Sequence, residues 1–257
     1  MKRKAILIES SNVPGENDLP GARIDIENWV TFLKSDLGGA WSGSEITVLR
    51  KPFSKEVKEA LDAASDAYCF VAFSGHGRDG SVVLNEHYTA FPIIDLKPKG
   101  ERGTLIVDSC RGSQDAERFY FGGSTVISVA NEAIGESAAL NASQGGITTF
   151  SRQNVVKKSS ELNYHLFHWM NEMQNSSKGI VQMLSCAKGQ AAGENPRSGG
   201  HYTSLLMKSA DVWNRVYSGS KIHSTKDAHD YAAKLLPAQQ TPEYSPSYLK
   251  FPFAVKA

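Results

Sequence analysis

Short apolar runs that alternate with stretches of helical periodicity constrain this chain more than any other feature. Ala5 to Ile8 is an apolar run ended by polar, Gly and Pro residues, which reads as a buried strand followed by a loop. Ile24, Ile26, Trp29, Val30, Phe32 and Leu33 then recur at roughly helical spacing, with Pro20 near the start and Gly38-Gly39 beyond the end. Glu45 to Leu49 reads as a second strand, and Ser54 with Val57, Leu61 and Ala64 as a helix capped by Ser54. Tyr68 to Phe73 is a third strand and Thr104 to Val107 the next central one. Strands separated by helices imply right-handed crossovers. The fold class is therefore α/β with a mostly parallel central sheet, and reactive groups belong outside the carboxyl ends of its strands.

The second half is less regular. Residues 113 to 158 mix Gly, Ser, Asn and Gln with one β-rich run, Ser124 to Val129, and read as an exposed connection. Ser159 to Met173 is an amphipathic helix, Gly179 to Ser185 a buried strand, and Tyr202 to Val216 and Thr225 to Leu236 two further helices. Leu249 to Val255 closes the chain, and Pro252 within it marks an edge strand. The sequence carries no internal repeat and no long low-complexity segment.

Composition narrows the function classes. Lys and Arg number 28 against 27 Asp and Glu, so no net field draws the protein toward nucleic acid or an anionic membrane, and neither is expected as a partner. The 257 residues suffice for one domain that hides about three-quarters of the unfolded surface. Three cysteines, Cys69, Cys110 and Cys186, are too few and too scattered for a disulfide framework and suit a reducing compartment. The apolar run after Met1-Lys2-Arg3-Lys4 spans only four residues, too short for a signal peptide or a membrane span. The expected location is cytoplasmic.

Two strand ends carry reactive side chains. Phe73-Ser74-Gly75-His76-Gly77 and Val107-Asp108-Ser109-Cys110-Arg111-Gly112 place one histidine and one cysteine on neighbouring strand tips. A thiol is a strong nucleophile only as thiolate, and a nearby imidazole can take its proton and hand it to a leaving amine. In order along the chain stand Leu19-Pro20-Gly21-Ala22 with Asp25, the two strand ends, Leu184 to Ala192 with Glu194, Gly199-Gly200-His201-Tyr202-Thr203, and the terminal Phe251-Pro252-Phe253. With these motifs the chain resembles the caspase and metacaspase superfamily of cysteine proteases over nearly its whole length, in a bacterial-type form without a prodomain.

The resemblance implies a caspase-like (flavodoxin-like) three-layer sandwich and a single peptidase domain over residues 1–257. Residues 1–112 would be large-subunit-like and carry the dyad, 113–178 the exposed connection and helix, and 179–257 the small-subunit-like part. It implies an endopeptidase acting on protein or peptide substrates, with His76 and Cys110 catalytic and the backbone N–H groups of Gly77 and Cys110 as oxyanion donors. Asp25, Ser74 and Asp108 match the acidic S1 pocket of metacaspases, where two carboxylates favour Arg or Lys at P1, the residue before the scissile bond. Arg111 departs from that pattern, since caspases carry Arg after the nucleophile and metacaspases usually His, and a P1 Asp preference stays open. Its positive field beside Cys110 would favour the thiolate. Two other readings stand beside this one: a catalytically silent interaction module, and an effector of bacterial defence or cell death switched on by a partner protein or small signalling ligand.

No cofactor is expected. Metacaspases often bind calcium between the His and Cys motifs, but residues 78 to 103 hold only Asp79, Glu86, Asp95 and Glu101, widely spread, whereas hard cations want convergent oxygen ligands. Glu161, His165 and His168 share a helix face at a metal-like spacing that an amphipathic surface helix also produces. His87, His201, His223 and His229 show no partner pattern and read as surface or packing residues. Met183 and Trp169 read as core, and Cys69 and Cys186 as buried inert thiols within apolar strands. Lys157 and Lys158 form a basic pair at a loop-to-helix boundary, open to self-cleavage by an enzyme with an acidic S1 pocket.

Overall fold

The alternation of the sequence becomes a six-stranded sheet in the computed structural model, which describes residues 1–85, 90–112, 159–216 and 219–256. The first half runs β1 (Arg3–Ser10), α1 (Pro20–Lys34), β2 (Ile46–Arg50), α2 (Ser54–Ala63), β3 (Tyr68–Gly75), a small sheet of β4 (Gly77–Arg78), β5 (Ser81–Val83) and β6 (Ala90–Pro92), then β7 (Arg102–Asp108). The second half runs α3 (Ser159–Asn175), β8 (Gly179–Leu184), the hairpin of β9 (Glu194–Asn195) and β10 (Gly199–Gly200), α4 (His201–Arg215), β11 (Ile222–Ser224), α5 (Thr225–Leu235), β12 (Glu243–Ser245) and β13 (Pro252–Val255). The sheet order is β12-β8-β7-β3-β1-β2, parallel throughout except for β12, which runs antiparallel to β8.

Both faces of the sheet are covered, which is why β3 is buried at every residue and reads as a continuous apolar run. Side chains alternate between two cores. Ala5, Leu7, Phe70, Ala72 and Ile106 join Trp29 and Phe32 of α1, Trp169 and Met173 of α3, Tyr202 of α4 and Phe253 of β13. Ile6, Ile8, Val71, Phe73, Leu105 and Val107 point the other way, toward Val57 and Leu61 of α2 and Val82 and Phe91 of the small sheet. Helices and a small sheet on opposite faces give the three-layer arrangement expected. Met183 and Trp169 lie in the core as expected.

Several local expectations are corrected. Ser54 does not cap α2 but is its first residue, and the Glu56 carboxylate instead accepts the Phe53 N–H at 2.8 Å. The terminal strand β13 is an edge strand as expected, but of a separate two-stranded sheet in which it pairs antiparallel with β11, while β12 takes the edge of the main one. Cys186 lies just past β8, not within it, although like Cys69 it is fully buried. Arg3, read only as part of a basic start, is 3% exposed: it donates to Glu45 and to the Gly39 and Ala40 carbonyls and stacks 4.4 Å from the Trp41 ring centre. Burying that charge is tolerable because carboxylate and carbonyls take up its donors. Among the described residues no helix is long and apolar enough to cross a membrane. The Ser124 to Val129 run, Glu86, His87, Lys157 and Lys158 lie outside the described residues.

Candidate functional site

The parallel register of β3 and β7 builds the site. Ser74 pairs with Asp108, so His76 and Cys110, each two residues further on, leave adjacent strands side by side. The approach is close enough to require glycine after the histidine: a Cβ on Gly77 would lie 2.5 Å from Ser109 Oγ and 2.7 Å from Cys110 O. Cys110 is only 8% exposed, and the peptide units around it are pinned to the segment after β8. Ser109 N–H donates to Ser185 Oγ at 3.2 Å, and Arg111 N–H to Gln190 O at 2.9 Å. Gly189 N–H donates back to Arg111 O at 3.0 Å. The Leu184 to Glu194 motif thus acts as a cradle for the cysteine turn.

His76 is oriented by a loop the sequence reading did not single out. Its Nε2 donates to the Asn17 carbonyl at 2.6 Å, in the connection between β1 and α1. A carbonyl oxygen only accepts, so the proton of the neutral ring sits on Nε2 and the lone pair on Nδ1. The Glu16 carboxylate lies 3.9 Å from Nδ1, while its other oxygen accepts from Arg78 at 2.6 Å. Neither residue has a sequence signature: one acts through its backbone, and the other is a single acid in a polar loop.

Asp25, Ser74 and Asp108 are brought together, all three buried. Asp25 Oδ2 accepts from Ser74 Oγ at 2.6 Å and Oδ1 from the Gly200 N–H at 2.9 Å. Asp108 Oδ2 accepts from Thr203 N–H at 3.1 Å and Thr203 Oγ1 at 2.8 Å, in the first turn of α4. Both carboxylates are 0% exposed, which excludes a solvent-facing Asp25. They flank β10: a Cβ on Gly200 would clash with Asp108 Oδ2 and sit 3.0 Å from Asp25 Oδ2, so only a glycine backbone fits between them. Glu194, register partner of Gly200, is a third buried acid, set against Gly21 in the first turn of α1.

Arg111 is engaged away from the strand ends. Its guanidinium donates to the Cys186 carbonyl at 2.9 Å and pairs with the Glu243 carboxylate of β12, which offsets part of its positive field. Burial pushes both the Cys69 and Cys186 thiols up to about 12. Among the described residues no group of three or more His, Cys, Asp or Glu could hold a metal ion. His165 faces Asp36 at 4.0 Å, and the His168 ring centre lies 4.3 Å from that of Tyr164. His201, His223 and His229 are buried packing residues. His229 Nδ1 bonds the Tyr202 hydroxyl at 2.8 Å, and His223 Nε2 bonds Ser209 Oγ at 3.1 Å.

Comparison with known proteins bears on the family and the fold. The family model of the caspase domain matches residues 2–253. Caspase-1 from Spodoptera frugiperda is similar with a TM-score of 0.59 at 15% identity, over 99% of this chain and 92% of that one. Protein GSU0716 from Geobacter sulfurreducens gives 0.57 at 18% identity, over 100% of both chains. At these identities the likeness of the structures speaks for the fold alone. No curated protein matches the chain.

Proposed function

The chain belongs to the caspase-domain family, a family of cysteine peptidases, and from that premise we propose that it cleaves peptide bonds after Arg or Lys through Cys110 and His76. The observation that carries this reading is the β3–β7 register, which sets the two side chains at adjacent strand ends with the imidazole held by Asn17. Nδ1 takes the proton as the Cys110 S–H bond breaks, and the thiolate adds to the scissile carbonyl. The N–H groups of Gly77 and Cys110 stabilise the resulting oxyanion. Collapse breaks the C–N bond as Nδ1 returns its proton to the leaving amine, leaving an acyl-enzyme. Water, deprotonated by Nδ1, then releases the acid and the thiol.

Asp25, Ser74 and Asp108 form the acidic S1 subsite in this reading. A P1 Asp preference calls for a cation in the pocket, and the arginine beside the nucleophile is engaged by Glu243 instead. A second reading adds regulation: an effector of bacterial defence or cell death, silent until a partner protein or small ligand acts. The closure of β10 over both carboxylates supports it, because a P1 guanidinium reaches them only once the β9–β10 hairpin moves aside. Self-processing after Lys157 or Lys158 belongs to the same proposal, and mass spectrometry of active protein tests it by seeking fragments that Lys157→Ala/Lys158→Ala abolishes.

Fluorogenic peptides with Arg, Lys or Asp at P1, with Cys110→Ala as control, test the main reading. Cleavage of Arg and Lys peptides that vanishes in the control is expected. Cleavage of the Asp peptide alone would overturn the specificity, and cleavage that survives in Cys110→Ala would overturn the catalytic assignment.

A further inference from the structure

We propose that Glu16 is a positioning residue for His76, presenting one carboxylate oxygen to Nδ1 while Arg78 grips the other, so that the ring and the proton it receives are held where Cys110 gives its proton up. The inference rests on the catalytic reading of His76 above. At 3.9 Å from Nδ1, Glu16 Oε2 is too distant for a hydrogen bond but close enough to attract a protonated ring. The grip is specific because Arg78 lies two residues past His76 in β4, so the imidazole and the clamp on its partner share one turn out of β3.

One dipeptide thereby meets both ring nitrogens. The Asn17 carbonyl keeps a proton on Nε2, and the adjacent Glu16 carboxylate favours the state in which Nδ1 carries one as well. When the Cys110 S–H bond breaks and an N–H bond forms at Nδ1, the Glu16 carboxylate attracts the imidazolium so formed, with no further reactant required. Around His76 stand Glu16 from the loop, Arg78 from β4 on the other oxygen of that carboxylate, and the Cys110 turn beyond β7, whose backbone approaches Gly77; Asp18, one residue past Asn17, is paired with Arg23 of α1. Arg78 offsets part of the Glu16 field, which also limits the repulsion between that carboxylate and the thiolate. The loop is anchored for the task. Leu19 N–H donates to Ser11 O at 2.9 Å, and Ser11 N–H to the Glu9 carboxylate at 2.8 Å.

The test is a proton NMR titration of the His76 ring in full-length Cys110→Ala protein, with and without Glu16→Gln. Loss of the thiol removes its coupled titration, and the measurement needs no peptide cleavage, so it stands or falls separately from the proposed protease activity. Glu16→Gln should lower the His76 midpoint by about one pH unit, and Glu16→Asp, with the charge on a shorter arm, by less. In protein that cleaves peptides, the acid limb of kcat/KM, which reports protonation of the free imidazole base, should move to lower pH in Glu16→Gln. A folded Glu16→Gln protein with an unchanged or raised midpoint overturns the proposal. Should that variant lose its native circular dichroism, an unchanged midpoint in Glu16→Asp does the same.

Discussion

Three thiols share this chain, and in the proposed reading Cys110 is the nucleophile while Cys69 and Cys186 are inert. Burial raises Cys69 and Cys186 to about 12, so at neutral pH their thiolate fractions are on the order of one in a hundred thousand. Brief iodoacetamide treatment should therefore add a single label, which peptide mapping places on Cys110 and Cys110→Ala removes. Equal labelling of Cys186 would contradict the burial argument. His76→Ala should slow that labelling, because the base that shares the thiol proton is gone.

The acidic pair makes a complementary prediction. Asp25→Ala and Asp108→Ala should depress kcat/KM for Arg and Lys peptides while leaving the Cys110 labelling rate within a few-fold of the parent. Asp108→Ala should also destabilise the protein by about 1–2 kcal/mol in urea melts, since it removes the acceptor for both Thr203 donors at the start of α4. His76, Cys110 and the acids stand out in the sequence as candidates because each is a side chain within an ordered motif. Asn17 was not, because a carbonyl is common to every residue and only the folded loop shows which one meets an imidazole.

At the scale of elements, the long strands were legible and the short ones were not. β1, β3, β7 and β8 are bounded apolar runs, whereas β9, β10 and β12 are two or three residues of Glu, Asn, Gly, Tyr or Ser whose pairing depends on partners distant in sequence. Missing β12 also meant missing the destination of Arg111. With its guanidinium turned to Cys186 O and Glu243, Arg111→Gln should leave the ratio of kcat/KM for Arg and Asp peptides unchanged. A swing toward either substrate would return this arginine to the specificity pocket. β10 makes the opposite prediction, because no side chain fits between the two carboxylates. Gly200→Ala should destabilise the fold by about 1–3 kcal/mol in urea melts through overpacking and should reduce cleavage of basic substrates.

Over the whole molecule, the order of motifs and the alternation of core faces were enough to read the architecture, because a mostly parallel sheet covered on both sides leaves few ways to connect these elements. The sequence left the histidines as surface or packing residues, since an isolated His has no periodicity, and the burial of two of them gives an expectation for the response to acid. Burial lowers His223 to about 4, against a smaller opposing pull from Asp227, and burial likewise lowers His229 to about 4. The unfolded chain protonates both near 6.5, so below that pH it binds more protons than the native state. Stability should fall as pH drops from 6.5 toward 4, by up to about 3 kcal/mol for each histidine. The carboxylates act in a lower window. Although burial opposes ionisation of Glu45 and Asp227, donors from Arg3 and Ser42 to the first and from Ser224 to the second hold both below their ordinary values of 4.5 and 3.8. Their contribution is present above those values and is lost only as pH falls further. Urea midpoints measured from pH 7.5 to pH 4.5 should therefore decline already above pH 5, and His223→Gln and His229→Gln should each flatten the decline even where they lower stability at pH 7.5. Midpoints that hold level down to pH 4.5 would show that these rings are protonated within the native fold.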